Sequence, residues 1–318
     1  MEHSLDLTYH WAGFSALVVF VIAYAFVMAE EFTHLRKSKP VVLAAGLIWG
    51  MIAIAYSNTP HYEMVEHEIR HSFLEYTELA FFLLVAMTYI NALEERNVFN
   101  SLKSWLIKNQ FSYRQLFWIT GVLAFFLSPL ADNLTTALVL CAVVVAVGSS
   151  SPKFVGLACV NIVVAANAGG AFSPFGDITT LMVWQAGQLD FLQFFALVIP
   201  SVVNYIIPAS IMHFFVSDHK PDVAETSVTI KYGGKTIILL GLLTIVTAVS
   251  FHNFLHLPPV FGMMTGLAYL QLYSFYIKIS VKDIEEQKYD FFENVARVEW
   301  DTLLFFFGVI CLLEAWAS

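Results

Sequence analysis

Two stretches place carboxylates, amides and hydroxyls in the middle of apolar sequence. One reads Ser128-Pro129-Leu130-Ala131-Asp132-Asn133-Leu134-Thr135-Thr136. The other reads Asn167-Ala168-Gly169-Gly170-Ala171-Phe172-Ser173-Pro174-Phe175-Gly176-Asp177-Ile178-Thr179-Thr180. A charged carboxylate at membrane depth costs on the order of 3 kcal/mol or more, so it is rarely idle. Asp132, Asn133, Thr135 and Thr136 in the first stretch offer hard oxygen atoms, as do Asn167, Asp177, Thr179 and Thr180 in the second. Such donors suit an alkali cation or a proton better than a soft metal. Helix interruptions are expected beside them, at Ser128-Pro129, at Ala168-Gly169-Gly170 and at Ser173-Pro174-Phe175-Gly176. Unwound backbone at these points presents carbonyls that also coordinate a cation. Each aspartate is equally placed to cap the half-helix that follows it, and capping is compatible with ion binding.

A third pattern, His67-Glu68-Ile69-Arg70-His71, fits H-E-x-x-H, which sets two histidines one helical turn apart as in zinc hydrolases. Glu75 or Glu78 then supplies the third ligand. The competing readings are a solvated amphipathic helix, given the neighbouring His61, Glu63 and Glu66, and a patch that senses pH or metal.

The elements that carry these residues are membrane helices. Of 318 residues, 58% are hydrophobic and 13% charged, about half the charge of a soluble domain. Mean hydropathy is +0.70. This composition excludes a disordered chain and an ordinary cytosolic enzyme, and the net charge of −9 gives no footprint for nucleic acid. The first apolar run, Trp11 to Ala29, lacks a basic leader and is long enough to span, so it reads as a helix and not a signal peptide. Further apolar stretches cover 41–56, 73–92, 112–149, 153–187, 191–216, 234–251, 259–277 and 300–316. Cys141, Cys159 and Cys311 lie inside them and read as packing thiols.

Charge sets the topology. If 112–149 enters and leaves on one side as a re-entrant hairpin, and 153–187 crosses once as a broken helix, all sixteen Lys and Arg except Arg70 share one face. By the positive-inside rule that face is cytoplasmic and the N-terminus is outside. An internal repeat agrees: Glu75-Tyr76-Thr77-Glu78-Leu79-Ala80-Phe81-Phe82-Leu83 resembles Glu299-Trp300-Asp301-Thr302-Leu303-Leu304-Phe305-Phe306-Phe307 with opposite orientation. Each copy follows a helix with GxxxG, at Gly46 and Gly50 and at Gly262 and Gly266, fit for close packing or a homodimer. Asn161, Asn204 and His213, inside spans, are expected to bond between helices. The expected architecture is an all-α polytopic membrane protein built as an inverted-repeat transporter. Residues 1–216 form the first repeat, 217–233 a cytoplasmic linker, and 234–318 a second repeat that is truncated, since counterparts of the hairpin and broken helix would lie beyond Ser318.

The segments Ser128 to Leu138 and Asn167 to Val183, with Leu83 to Phe99, closely resemble the NhaD-type sodium/proton antiporters, in the wider ion-transporter superfamily that includes arsenite pumps and citrate carriers. The resemblance covers essentially the whole chain, and the departure is the second hairpin and broken helix that the family carries in its second half. It implies that Asp132, Asn133, Asn167, Asp177, Thr179 and Thr180 are needed for cation exchange. The function expected is exchange of Na⁺ or Li⁺ for H⁺ in a bacterial inner membrane, by competition at buried carboxylates, with no cofactor and no metal beyond the transported ion. Its partners are then the lipid bilayer, the two ions and a second copy of the chain. The alternatives are an anion carrier for arsenite or a carboxylate, a non-transporting fragment and, more remotely, a membrane zinc hydrolase at His67 and His71.

Overall fold

A computed structural model describes residues 10–57, 59, 62–109, 111–148, 151–220, 228–280 and 289–317. Among these residues the chain is helical without strands. The helices are α1 (Trp11–Met28), α2 (Glu30–Thr33), α3 (Ser38–Tyr56), α4 (Tyr62–Glu95), α5 (Val98–Lys108), α6 (Tyr113–Ala131) and α7 (Asn133–Val147). They continue with α8 (Pro152–Gly170), α9 (Ile178–Gln185), α10 (Val198–His213), α11 (Gly234–Leu255), α12 (Pro259–Ser280), α13 (Phe291–Ala296) and α14 (Trp300–Ala317). A 3-10 turn at Phe191–Leu197 leads into α10. Eight described helical segments are long and apolar enough to cross a membrane. The 15-residue α7 is not among them. At 1.5 Å per residue it reaches about 22 Å, short of the ~30 Å hydrocarbon layer. Of the polar linker 217–233, residues 221–227 lie outside the described set.

The chain divides into two compact units, Met1–Leu84 with Arg297–Ser318, and Val85–Ala296. These boundaries differ from the repeat boundaries drawn from sequence.

In the first unit α3 packs between α1 and α14. Val41, Ala44, Ala45, Ile48, Ile52 and Tyr56 recur at helical spacing and are buried. Gly308 of α14 lies against the Val41 backbone, where an added Cβ would come within 2.9 Å of main-chain atoms. The Trp49 indole N–H donates to the Cys311 carbonyl at 2.8 Å, and the Ser38 hydroxyl donates to Asp301. Gly46 and Gly50, by contrast, face open space.

The second unit contains the hairpin. A capping box starts α6: Ser112 Oγ accepts from the Gln115 N–H, and Gln115 Oε1 accepts from the Ser112 N–H. The same Ser112 hydroxyl donates to Asp218, and the Tyr113 N–H donates to the His219 carbonyl, which ties this end of α6 to the segment after α10. The helices α6 and α8 run parallel, with Tyr113 against Phe154 at one end and Ser128 bonded to Ala166 at the other. Alongside this pair α7 returns antiparallel, its Cys141 beside Cys159 and its C-cap Gly148 against Phe154. Behind them α10 packs on α8, and Phe125 stacks on Tyr205. Asn161 is fully buried and its amide donates to the Phe117 carbonyl, while the Trp118 indole N–H donates to His213 Nδ1. Both links join helices, as expected. Asn204 is exposed on α10 instead.

In the same unit α11 and α12 pair through Gly262 on the Ala248 backbone and Gly266 on Thr244. At the end of α4, Arg96 is fully buried. It pairs with Glu95 at 2.7 Å, and its guanidinium lies 4.9 Å from the Tyr289 ring centroid. The amide of Asn294 donates to the other Glu95 oxygen at 2.6 Å. Burial and the Glu95 charge push the Tyr289 phenol well above its ordinary range, so it stays protonated.

Candidate functional site

The break expected at Ser173-Pro174-Phe175-Gly176 is present, while the other two fall later than proline and glycine alone suggest. Ser128 and Pro129 lie inside α6, which runs on to Ala131, and the chain turns at Asp132 with φ 56° and ψ 159°. Gly169 and Gly170 likewise remain inside α8, and the non-helical segment is 171–177. The physical reason is packing. Pro129 removes the N–H that would bond the Phe125 carbonyl one turn earlier. Gly169 covers that carbonyl so closely that a Cβ there would sit 2.1 Å from the oxygen. Gly170 meets Gly176, where a Cβ on Gly170 would lie 2.6 Å from the Gly176 carbonyl. These glycines and the proline fit the hairpin against the broken helix. Hydroxyls complete the joint: Ser128 donates to the Ala166 carbonyl at 2.6 Å, Ser173 to the Pro129 carbonyl at 2.9 Å, and Thr180 to the carbonyls of Ser173 and Asp177, both at 2.8 Å. Pro174 is buried in the same segment.

The hairpin tip and the break in the second helix meet at Asn133. Its backbone N–H donates to the Gly176 carbonyl at 3.0 Å. Its side-chain amide donates to Asp177 Oδ2 at 2.7 Å and to Asn167 Oδ1 at 3.1 Å. Two carboxylates flank this bridge, each capping a helix. Asp132 Oδ1 accepts from the Thr135 N–H and Oδ2 from the Thr135 hydroxyl, both at 2.7 Å, at the start of α7. Asp177 Oδ1 accepts from the Thr179 N–H and hydroxyl, both at 2.9 Å, at the start of α9. Both caps place negative charge at the positive end of a helix dipole. The C-terminal end of α8, with the opposite polarity, reaches the same place through Asn167 and Gly170.

All eight oxygen-bearing residues singled out from sequence therefore stand at this junction. Asp132, Asn133, Thr135, Asp177 and Thr180 are part-buried, Asn167 and Thr179 are exposed, and Thr136 is buried. The Thr136 hydroxyl, one turn into α7, has no hydrogen-bond partner among the described residues. The carbonyls of Pro129 and Gly176 lie in stretches where sequence already suggests unwound backbone, whereas those of Phe125 and Ala166, inside regular helix, were not legible. A carbonyl has no residue-type signature, and only the pairing of a proline in one stretch with paired glycines in the other hinted at them.

Spanning helices around an interrupted polar junction define a polytopic membrane transporter. The family model described as citrate transporter matches residues 11–317. The Na⁺/H⁺ antiporter NhaD of Vibrio cholerae is 52% identical, over 96% of this chain and 69% of its own length. That of Alkalimonas amylolytica is 51% identical, over 96% of this chain and 68% of its own. Sodium/proton antiporter 1 of Arabidopsis thaliana is 31% identical, over 92% of this chain and half of its own length. The chain belongs to this transporter family, among the relatives of the NhaD antiporters.

Proposed function

We propose that this protein is a secondary transporter that exchanges Na⁺ or Li⁺ for H⁺ in a bacterial inner membrane, with Asp132 and Asp177 as the carboxylates for which the two ions compete. The observation that carries the reading is the bridge at Asn133, which joins a hairpin tip and a helix break bearing one carboxylate each. The names of the relatives support it.

The Asn133 –NH₂ sits between Asp177 Oδ2 and Asn167 Oδ1, where a cation bound to both oxygens would lie. It acts as a stand-in for the ion. Turning that amide over withdraws the donor and presents Asn133 Oδ1 as a further ligand. Hard oxygen ligands come from Asp177, Asn167 and Asn133, with Asp132 at the cap of α7 and the Thr136 hydroxyl in its first turn nearby in sequence. A proton on a carboxylate removes its charge and one acceptor site, so protonation and cation binding exclude each other. Neither the loaded nor the protonated site carries a bare charge, and exchange follows without a cofactor or a covalent intermediate. The hairpin α6–α7 and the broken helix α8–α9 form the moving part in this reading.

An anion carrier would use the N-termini of α7 and α9 as its binding donors. Both are taken up by Asp132 and Asp177, which favours the cation. In everted membrane vesicles, Asp132→Asn and Asp177→Asn are each expected to lower Na⁺-induced proton movement at least about tenfold at unchanged protein level. Normal exchange by both variants would overturn the assignment.

A homodimer is the further proposal for the first unit. Gly46 and Gly50 leave a small-residue face of α3 open, whereas Gly262 and Gly266 are used within the chain. The double variant Gly46→Leu/Gly50→Leu is expected to run as a monomer by light scattering, and a surviving dimer would count against this face.

A further inference from the structure

The H-E-x-x-H pattern is not how the structure groups its histidines. His67 is 79% exposed and turns to its neighbour Glu68 at 3.8 Å. His71 faces Glu75, one turn along α4, with Nδ1 3.7 Å from Oε1. Glu314 of α14 joins them, and one ligand atom from each of the three residues lies within 4.8 Å of the other two. All three belong to the first unit, whereas the hairpin site lies in the second.

We propose that His71, Glu75 and Glu314 form a binding site for a divalent transition-metal ion of the Zn²⁺ class, which clips α14 to the N-terminal half of α4. The donor set selects the ion. One imidazole nitrogen with two carboxylates suits a borderline cation, whereas Na⁺ and Mg²⁺ prefer oxygen alone and Cu⁺ prefers sulfur. Ligands about 2.1 Å from a tetrahedral ion stand roughly 3.4 Å apart, so the three side chains must close by about 1 Å. Side-chain exposures of 49% for His71 and 45% for Glu75 leave them free to do so. Three protein ligands leave the fourth position to water, the pattern of an accessible zinc site.

The charge balance points the same way. Glu68, Glu75 and Glu314 crowd this end of α4 and α14. The basic residue of the stretch, Arg70, is committed to Glu66 through two bonds of 2.9 and 2.7 Å. A divalent ion neutralises Glu75 and Glu314 directly. The α14 side of the clip is held by bonds to α3 through Cys311 and Asp301, and α4 already meets α14 where Phe73 and Tyr76 pack on Phe307.

The test uses the purified full chain in detergent, stripped with a chelator and titrated with Zn²⁺ by calorimetry, with thermal unfolding followed in parallel. About one Zn²⁺ per chain and a raised unfolding temperature are expected, with Mg²⁺ at equal concentration giving no such rise. His71→Ala and Glu314→Gln should each weaken binding about tenfold or more, and His67→Ala should leave it unchanged. If either variant fails to elute as a folded species, Glu75→Gln takes its place. Binding that survives these substitutions, that falls equally in His67→Ala, or that needs millimolar Zn²⁺ would overturn the proposal.

Discussion

Asn133 shows how much a single amide settles. Its neighbour Asp132 is a capping residue in local terms, but Asn133 reaches across to Gly176, Asn167 and Asp177 and turns two separate breaks into one site. The residue types were legible in sequence, because carboxylates and amides inside apolar runs have few other uses. The role of the glycines was not. Sequence marks Gly169 and Gly170 as helix breakers, yet they stay helical and serve as surfaces on which other backbone rests. The consequence is measurable: Gly169→Ala puts a Cβ 2.1 Å from the Phe125 carbonyl. Backbone cannot swing aside as a side chain can, so about 1–3 kcal/mol of stability should be lost. Fluorescence-detected thermal unfolding should show it as a lowered midpoint, whereas Gly156→Ala, inside α8 with open space around it, should hold or raise the midpoint.

At the scale of elements, the long apolar helices were readable from composition and length, and so was the division of 112–149 and 153–187 into pieces. The exact turning points were not, because Pro129 and Gly169 compensate each other across two helices, and no local rule contains that pairing. The polar lock at the end of α4 was also hidden. Arg96 reads in sequence as one more cytoplasmic base, but it is fully buried against Glu95 and the Tyr289 ring, with Asn294 holding the other Glu95 oxygen. Breaking a buried pair from one side leaves an uncompensated charge. Arg96→Ala should therefore cost about 3–5 kcal/mol, read as a large fall in unfolding temperature. Arg96→Lys keeps the charge but loses the planar fork that stacks on Tyr289, and should recover only part of it. A full recovery by lysine would show that the stacking contributes nothing.

For the whole molecule, composition alone said membrane, and the basic residues alone gave an orientation. The family followed from two polar motifs, and its membership now rests on relatives about half identical over nearly the whole chain. The division into units was not legible: α14 is far from α3 in sequence but packs on it, and only tertiary contact shows this. Exchange by this route requires that Na⁺ and H⁺ share the carboxylates joined by Asn133. Equilibrium binding of ²²Na⁺ to the purified chain, measured across a pH series, tests it most directly. Bound Na⁺ should fall steadily as the medium is acidified, and Asp177→Asn should remove most of it at every pH. Na⁺ binding that ignores pH, or that survives Asp177→Asn undiminished, would contradict it.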